Sequence, residues 1–332
     1  MLTGGDAALV LGLDVGGTWT RALVASVDGV RLGGGQAAGA NPVAHGVAAS
    51  AECIAAAIEE ALGSAGVASA EVGACVVGMA GASKLAADPE AAGAFAELWR
   101  RLGLREGAVE IVSDVTTAYA AGSAEPDGVV LLAGTGAVAA TMRDRRPLSV
   151  HGGHGWLLGD EGSGYWIGRE AVRATLSALD DGVLPAGGLM EAVLAAYDVQ
   201  VSGVGRPGAG LIAAVNARPA VDLARLVPHV IAAFEEGDPV SRRIVHDAAD
   251  ALVRLLTRAR STDNEGPIVL AGGVLTPGSC VYQAVSEAIA ETWPDASVEA
   301  GVDGVGAATW LAALRLLGDG VQARDLHGKL VG

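Results

Sequence analysis

Asp14-Val15-Gly16-Gly17-Thr18 interrupts two apolar stretches, residues 8–13 and 21–27, and its residue types suit one kind of chemistry. Glycines let a backbone approach a phosphate closely, and amide hydrogens with the Thr18 hydroxyl can bond its oxygens. The Asp14 carboxylate could hold hydrated magnesium. A tight hairpin is the plainer reading of Gly16-Gly17, and taken alone the segment does not choose between the two. Gly134-Thr135-Gly136 repeats the arrangement between residues 128–133 and 138–143. Two such turns facing each other could clamp a triphosphate across a cleft. A third turn, Ala271-Gly272-Gly273-Val274, ends the apolar run 267–270.

Asp114 follows the short apolar run 109–112 and precedes Val115-Thr116-Thr117, at a strand-to-helix junction where α/β folds face their ligands. A carboxylate there could accept the proton of an attacking hydroxyl, or it could serve as the helix N-cap. Asp160 and Glu161 stand in a glycine-bracketed loop with Trp156 and Trp166 nearby. Carboxylates and indoles suit the hydroxyls and the apolar face of a sugar; a solvated acidic turn before a helix is the alternative. His151-x-x-His154 lacks the H-E-x-x-H pattern and a nearby cysteine pair, so zinc is not indicated. Arg143, Arg145 and Arg146 read as a solvated strand end.

These residues need elements to hold them. The chain has 332 residues, enough for two domains, and with 51% hydrophobic and 18% charged residues it is not a disordered chain. Aromatics are only 4%, so the cores must be built from Ala, Val and Leu. The periodicity predicts strands at 8–13, 21–27 and 30–36, a helix at 47–62, strands at 72–77 and 109–112, and a helix at 90–102 between them, a βββαβαβα order. The strand, glycine turn, strand pattern then recurs from residue 128. Most of 162–260 reads as helix, the clearest beginning at Asp238 as N-cap with Pro239 in the first position. A strand at 267–270 and helices at 282–292 and 306–317 follow. The boundary is expected near Gly122, giving an N-terminal lobe 1–121 and a C-terminal lobe 122–332, with the last helix crossing back.

Composition also excludes. Lys and Arg total 22 against 38 acids, a net charge of −16, which repels a nucleic-acid backbone. Lysine occurs only at Lys84 and Lys329, so neither a Walker A sequence nor the strand lysine of a protein kinase exists. Cys53, Cys75 and Cys280 are far apart and odd in number, as buried free thiols of a reducing compartment would be. The N-terminus has no basic export region, and the uncharged stretch 266–286 is broken by glycines and prolines, making it a poor membrane span. A soluble cytoplasmic protein without a membrane segment is expected; a homodimer is left open.

The three glycine turns together resemble the two-lobed α/β ATPase fold of actin, hexokinase and the heat-shock chaperones, built of duplicated ribonuclease H-like domains. More specifically, Gly152-Gly153-His154-Gly155-Trp156-Leu157-Leu158-Gly159-Asp160-Glu161-Gly162-Ser163-Gly164-Tyr165-Trp166-Ile167-Gly168 resembles a block of the BadF/BadG/BcrA/BcrD ATPase family and its N-acetylglucosamine kinase members. The resemblance also takes in Asn41-Pro42, Gly78-Met79-Ala80-Gly81, Ser113-Asp114 and Gly237-Asp238-Pro239-Val240, nearly the whole chain. It implies that Asp14, Gly16, Gly17 and Thr18 form the first phosphate turn, with magnesium at Asp14. Thr135 and Gly136 match the second phosphate turn, and Gly272 and Gly273 the adenosine-side turn. Asp114 matches the catalytic aspartate, and Asn41, Gly153 and Asp160 match sugar-contacting positions. Two departures stand out: Ser113 replaces the usual Asn, and His154 stands where amino-sugar kinases have Trp.

The implied function is ATP-dependent phosphorylation of an amino sugar at its 6-hydroxyl. Asp114, Asp160 and Glu161 would make an anionic pocket attractive to an ammonium group beside His154, which favours glucosamine, with N-acetylglucosamine as the alternative. A second alternative is an ATPase activator module of the same family, which would need cysteines to hold an iron–sulfur cluster; the three thiols here offer no close pair. Gly134-x-Gly136-x-x-Ala139 formally matches a dinucleotide fingerprint, but that motif requires a following helix, and 138–143 reads as a strand.

Overall fold

The structure, a computed structural model, describes residues 8–42, 46–82, 87–105, 107–201, 206–260 and 265–332. Lys84 lies outside them. The chain divides into two compact units, one of Met1–Pro126 with Gly301–Gly332, the other of Asp127–Ala300.

The first unit opens with an antiparallel meander of β1 (Leu9–Val15), β2 (Trp19–Ser26) and β3 (Arg31–Ala38). Helix α1 (Val47–Ala65) leads to β4 (Val72–Met79), α2 (Pro89–Arg101) to β5 (Val109–Ser113), and α3 (Asp114–Ala120) follows directly. The sheet order is β3-β2-β1-β4-β5, with β4 parallel to both β1 and β5. The second unit repeats this topology in β6 (Gly128–Ala133), β7 (Ala137–Arg143), β8 (Arg146–Gly152), β9 (Ile268–Ala271) and β10 (Val298–Gly301), ordered β10-β9-β6-β7-β8. Between β8 and β9 lie α4 (Gly164–Asp180), α5 (Gly188–Ala196), α6 (Ala209–Asn216), α7 (Val227–Glu235) and α8 (Pro239–Ala259); α9 (Cys280–Thr292) joins β9 to β10. The fold is a duplicated ribonuclease H-like α/β architecture.

The chain then returns to the first unit as α10 (Gly304–Leu317), α11 (Val321–Asp325) and α12 (His327–Leu330). That return explains why β1 is apolar nearly throughout, since a strand covered on both faces has little use for polar alternation. Leu11, Leu13 and Val15 pack with Ile54 and Ile58 of α1, while Val10 joins Trp310 and Ala308 of α10 in a separate core. Helix and strand approach so closely that a Cβ at Gly12 would stand 2.2 Å from the Thr309 nitrogen.

Two strands escape the sequence reading. β8 carries Pro147 and exposes Leu148 and Val150, and β10 is only four residues long. Arg143, Arg145 and Arg146 belong to the β7–β8 hairpin, where Asp144 and Arg145 take left-handed backbone angles; Arg145 is buried rather than solvated. The helix at Asp238 begins as predicted, its carboxylate accepting from the Val240 and Ser241 nitrogens at 2.8 Å each.

Candidate active site

The first glycine turn joins β1 to β2. Asp14, the penultimate residue of β1, stands opposite Arg21 of β2 in the hairpin register, and the two form an ion pair of 3.0 Å. The Gly16 nitrogen donates to the Trp19 carbonyl at 2.9 Å, closing the turn, and the Ala40 nitrogen donates to the Gly16 carbonyl at 3.1 Å. The residue before it, Gly39, crosses so near the turn that a Cβ would meet the Gly17 carbonyl oxygen at 2.1 Å. Asn41 follows immediately and is half-buried. A Cβ at Gly17 would meet nothing within 4 Å, and Gly17 and Thr18 are both exposed. The outer face of the turn is therefore open to a phosphate, while its inner face is structural.

Asp114 is set by what precedes it. Ser113, not Asp114, is the N-cap of α3: its hydroxyl accepts from the Thr116 nitrogen at 3.3 Å and lies 3.0 Å from the Thr116 hydroxyl. Asp114 is the first helical residue, its Oδ1 accepting from the adjacent Val115 nitrogen at 3.0 Å. The capping role that the sequence left open for Asp114 is thus filled by its neighbour, Ser113. Gly78, paired with Asp14 in the β1–β4 register, makes room for Thr117 of α3, whose side chain lies 2.4 Å from where a Cβ would stand.

This arrangement brings Asp14 and Asp114 within electrostatic reach of each other. Burial pushes the Asp114 carboxyl above the usual carboxylate range, the Val115 amide opposes the shift, and the Asp14 charge adds to it. Asp14 is raised by burial too, opposed by Arg21 and reinforced by Asp303. Asp303 is the N-cap of α10, accepting from the Gly306 nitrogen at 3.0 Å, and a Cβ on the next residue, Gly304, would stand 2.9 Å from Asp14 Oδ2. Arg21, Gly39, Asp303 and Gly304 were not picked out from the sequence. Arg21 could have been found by counting the hairpin register from Asp14, and Asp303 as an N-cap before the apolar run that follows it.

In the second unit Thr135 and Gly136 sit in the β6–β7 turn, held from behind by the start of α4. The Gly164 nitrogen donates to the Gly134 carbonyl at 2.8 Å and the Tyr165 nitrogen to the Thr135 carbonyl at 3.2 Å. Asp160 belongs to this turn: its Oδ1 accepts from the Ala137 nitrogen at 3.2 Å, and a Cβ at Gly136 would lie 2.9 Å from its Oδ2. It is 8% exposed and has a left-handed φ of 63°, an uncommon conformation for a non-glycine residue. Burial raises its carboxyl, with the Ala137 amide opposing, Glu161 adding, and His154 and the Gly155 amide opposing.

Gly153 takes a φ of 65° and donates its nitrogen to the Ala137 carbonyl at 2.9 Å, so it too is tied to the turn. His154 and Glu161 are exposed. Trp156 is 44% exposed and lies against Tyr165 with centroids 5.8 Å apart, whereas Trp166 packs on the second-unit core, so only the first is available for stacking. Gly272 has φ 95°, and a Cβ there would meet the Ala133 carbonyl at 2.4 Å; Gly273 faces open space. The third turn is thereby packed against the end of β6. Since β7 follows the Gly134 turn, the dinucleotide fingerprint lacks its helix.

The donor set fits nucleotide and magnesium. Turn glycines open on one side can admit phosphate oxygens, and a carboxylate at the turn is the hard ligand magnesium takes beside phosphates. Among the described residues no group of three or more His, Cys, Asp or Glu could hold a metal by itself. Cys75 and Cys280 are buried and Cys53 half-buried; burial pushes the Cys75 thiol up to about 12. Among the described residues no helix is long and apolar enough to cross a membrane.

A model of the BadF/BadG/BcrA/BcrD ATPase family matches residues 11–311. The chain belongs to this family. It is 29% identical over 233 residues to the N-acetylmuramic acid/N-acetylglucosamine kinase of Clostridium acetobutylicum, covering 68% of this chain and 72% of that protein. It is also 29% identical over 181 residues to the N-acetyl-D-glucosamine kinase of Dictyostelium discoideum, where the match spans about half of each chain, 52% and 54%. Its fold is similar to the crystal structure titled a putative N-acetylglucosamine kinase from Chromobacterium violaceum, with TM-score 0.72, 24% identity and coverage of 92% and 99%. A ROK family glucokinase from Streptomyces griseus, solved with glucose and AMPPNP, is similar at TM-score 0.57 and 20% identity, covering 94% and 100%. For this member of the ATPase family, the second likeness extends the shared fold to sugar kinases outside it.

Proposed function

We propose that this chain is an ATP-dependent amino-sugar kinase that transfers the γ-phosphoryl group to a sugar 6-hydroxyl, with Asp114 as general base. The observation that carries this is the division of labour at the start of α3: Ser113 caps the helix, so the Asp114 carboxylate is left for chemistry, beside the Asp14 turn. A carboxylate raised by burial holds an accepted proton better than an ordinary one. As the 6-oxygen attacks the γ-phosphorus its proton passes to Asp114, and the bond from that phosphorus to the β–γ bridging oxygen breaks, releasing ADP. In each unit the phosphate turn offers its amides and a threonine hydroxyl, Thr18 in the first and Thr135 in the second, to phosphate oxygens. Magnesium held at Asp14 would offset charge on those oxygens. Arg21, ion-paired with Asp14, opposes the upward push of burial on that carboxyl and orients it.

Both curated relatives are named for N-acetylated amino sugars, which supports N-acetylglucosamine as acceptor. Free glucosamine is the second reading, supported by the exposed carboxylate of Glu161 and by His154 standing in place of an indole. Asp160 supports it less, because its carboxylate is engaged by the Ala137 amide. The three thiols, at least two of them core residues, suit a reducing cytoplasm. The test is a panel of glucose, glucosamine and N-acetylglucosamine with ATP and magnesium, read as phosphorylated product. Equal rates on all three would remove the amino-sugar claim, and no product on any would remove the kinase. Asp114→Asn should lower kcat by about 10²-fold or more with sugar binding retained by calorimetry.

A further inference from the structure

The C-terminal turn contacts several of the elements that carry the two carboxylates of the first unit. The Nε2 of His327 stands 2.7 Å from the carbonyl oxygen of Ala120, the last residue of α3, and since a carbonyl only accepts, that nitrogen carries the proton. The imidazole is held edge-on against Trp310 of α10, centroids 4.8 Å apart and planes at 84°, and Trp310 is fully buried. Arg31 of β3 reaches both the Leu330 carbonyl, at 3.2 Å, and the carboxylate of Asp303, the α10 cap facing Asp14. Leu326 and Leu330 are buried in the same core as Ala120 and Trp310.

Helix α3 has only seven residues, too few to hold its shape from internal hydrogen bonds. Its first turn is held by Ser113; at its last turn the Thr117 and Tyr119 carbonyls accept from the Ala121, Gly122 and Ser123 nitrogens, and the Ala120 carbonyl accepts from His327. The direction of the Asp114 carboxylate therefore depends on both ends. We infer that His327 is a positioning residue for phosphoryl transfer: its hydrogen bond to Ala120 anchors the far end of the helix whose first residue is Asp114. This rests on the kinase reading of Asp114, and deepens it by extending the catalytic apparatus to the C-terminal turn.

Two substitutions in the full chain separate the hydrogen bond from simple core filling. His327→Phe keeps a ring against Trp310 and removes the donor; His327→Gln keeps a donor and removes the ring. The expected result is that His327→Phe lowers kcat about tenfold or more with KM for ATP and sugar little changed, as misplacement of a reacting group does. Amide exchange over residues 115–121 should quicken, and His327→Gln should recover kcat to within about twofold of the parent. The inference is overturned if His327→Phe keeps the parent's kcat and exchange pattern, or if Phe is tolerated and Gln is not, which would make the contact one of packing alone. A parent chain that phosphorylates none of the three sugars refutes the kinase reading. The exchange comparison between the two variants still decides whether His327 anchors α3.

Discussion

In the proposed kinase Asp114 is the base while Ser113 before it does the capping, and its pH behaviour follows from its surroundings. With its carboxyl raised by burial and by the Asp14 charge, kcat/KM should fall on acidification at a pH above the usual carboxylate range. Carbon-13 NMR of the Asp114 carboxyl should show that titration directly, moving down in Asp14→Asn; an unmoved titration would separate the two residues. The same shift has a stability consequence. A folded-state pKa above the unfolded one means the native chain holds the proton more tightly, so the contribution is full below the unfolded carboxylate value and is lost as pH rises through the raised one. At pH 7 Asp114→Asn should accordingly raise Tm while lowering kcat by about 10²-fold or more, a trade expected where burial disfavours the ionised form of a functional carboxyl. Gly17 makes a second test at this scale. Because a Cβ there meets nothing and its φ is not left-handed, Gly17→Ala should change stability by less than about 0.5 kcal/mol, yet raise KM for ATP if the phosphates lie against that face.

At the scale of elements, the three glycine turns differ in what their glycines do. Gly17 and Gly273 leave space, whereas Gly272 is demanded by the fold: its φ of 95° and the Ala133 carbonyl 2.4 Å from a hypothetical Cβ admit no side chain. Gly272→Ala should destabilise the protein by about 2–4 kcal/mol, from left-handed strain and overpacking together, read as a lower urea midpoint. An unchanged midpoint would mean that the β6 and β9 ends separate easily. The strands flanking these turns were legible because Val- and Leu-rich runs broken by glycines leave few alternatives, and the helix at Asp238 because cap and Pro239 coincide. β8 and β10 were not, since an edge strand with Pro147 and a four-residue strand take their identity from the neighbour they pair with. Trp156 and Trp166 sit in one short block, and only the phase of α4 sends the second into the core.

At the scale of the molecule, the first unit is completed by the end of the chain. Val10, Ala25, Ala74 and Val76 form one face of its sheet, and α10 with α12 covers them. A chain stopped at Ala300 would expose that face, so it should bind a hydrophobic dye and lack cooperative unfolding; a soluble, cooperatively melting truncation would show that the sheet stands without its cover. Spacing and residue type were enough to foresee the α/β class, the repeated turn and the aspartate after β5, because each is a local pattern of a few neighbouring residues. Arg21 and Asp303 around Asp14, and Asp160 on the Gly136 turn, became visible after folding. Ser113 and Asp303 are caps that a linear pattern can nominate; that Arg21 and Asp303 meet Asp14, and Asp160 the Gly136 turn, depends on strand register, on a helix arriving from the far end of the chain, or on a close backbone approach.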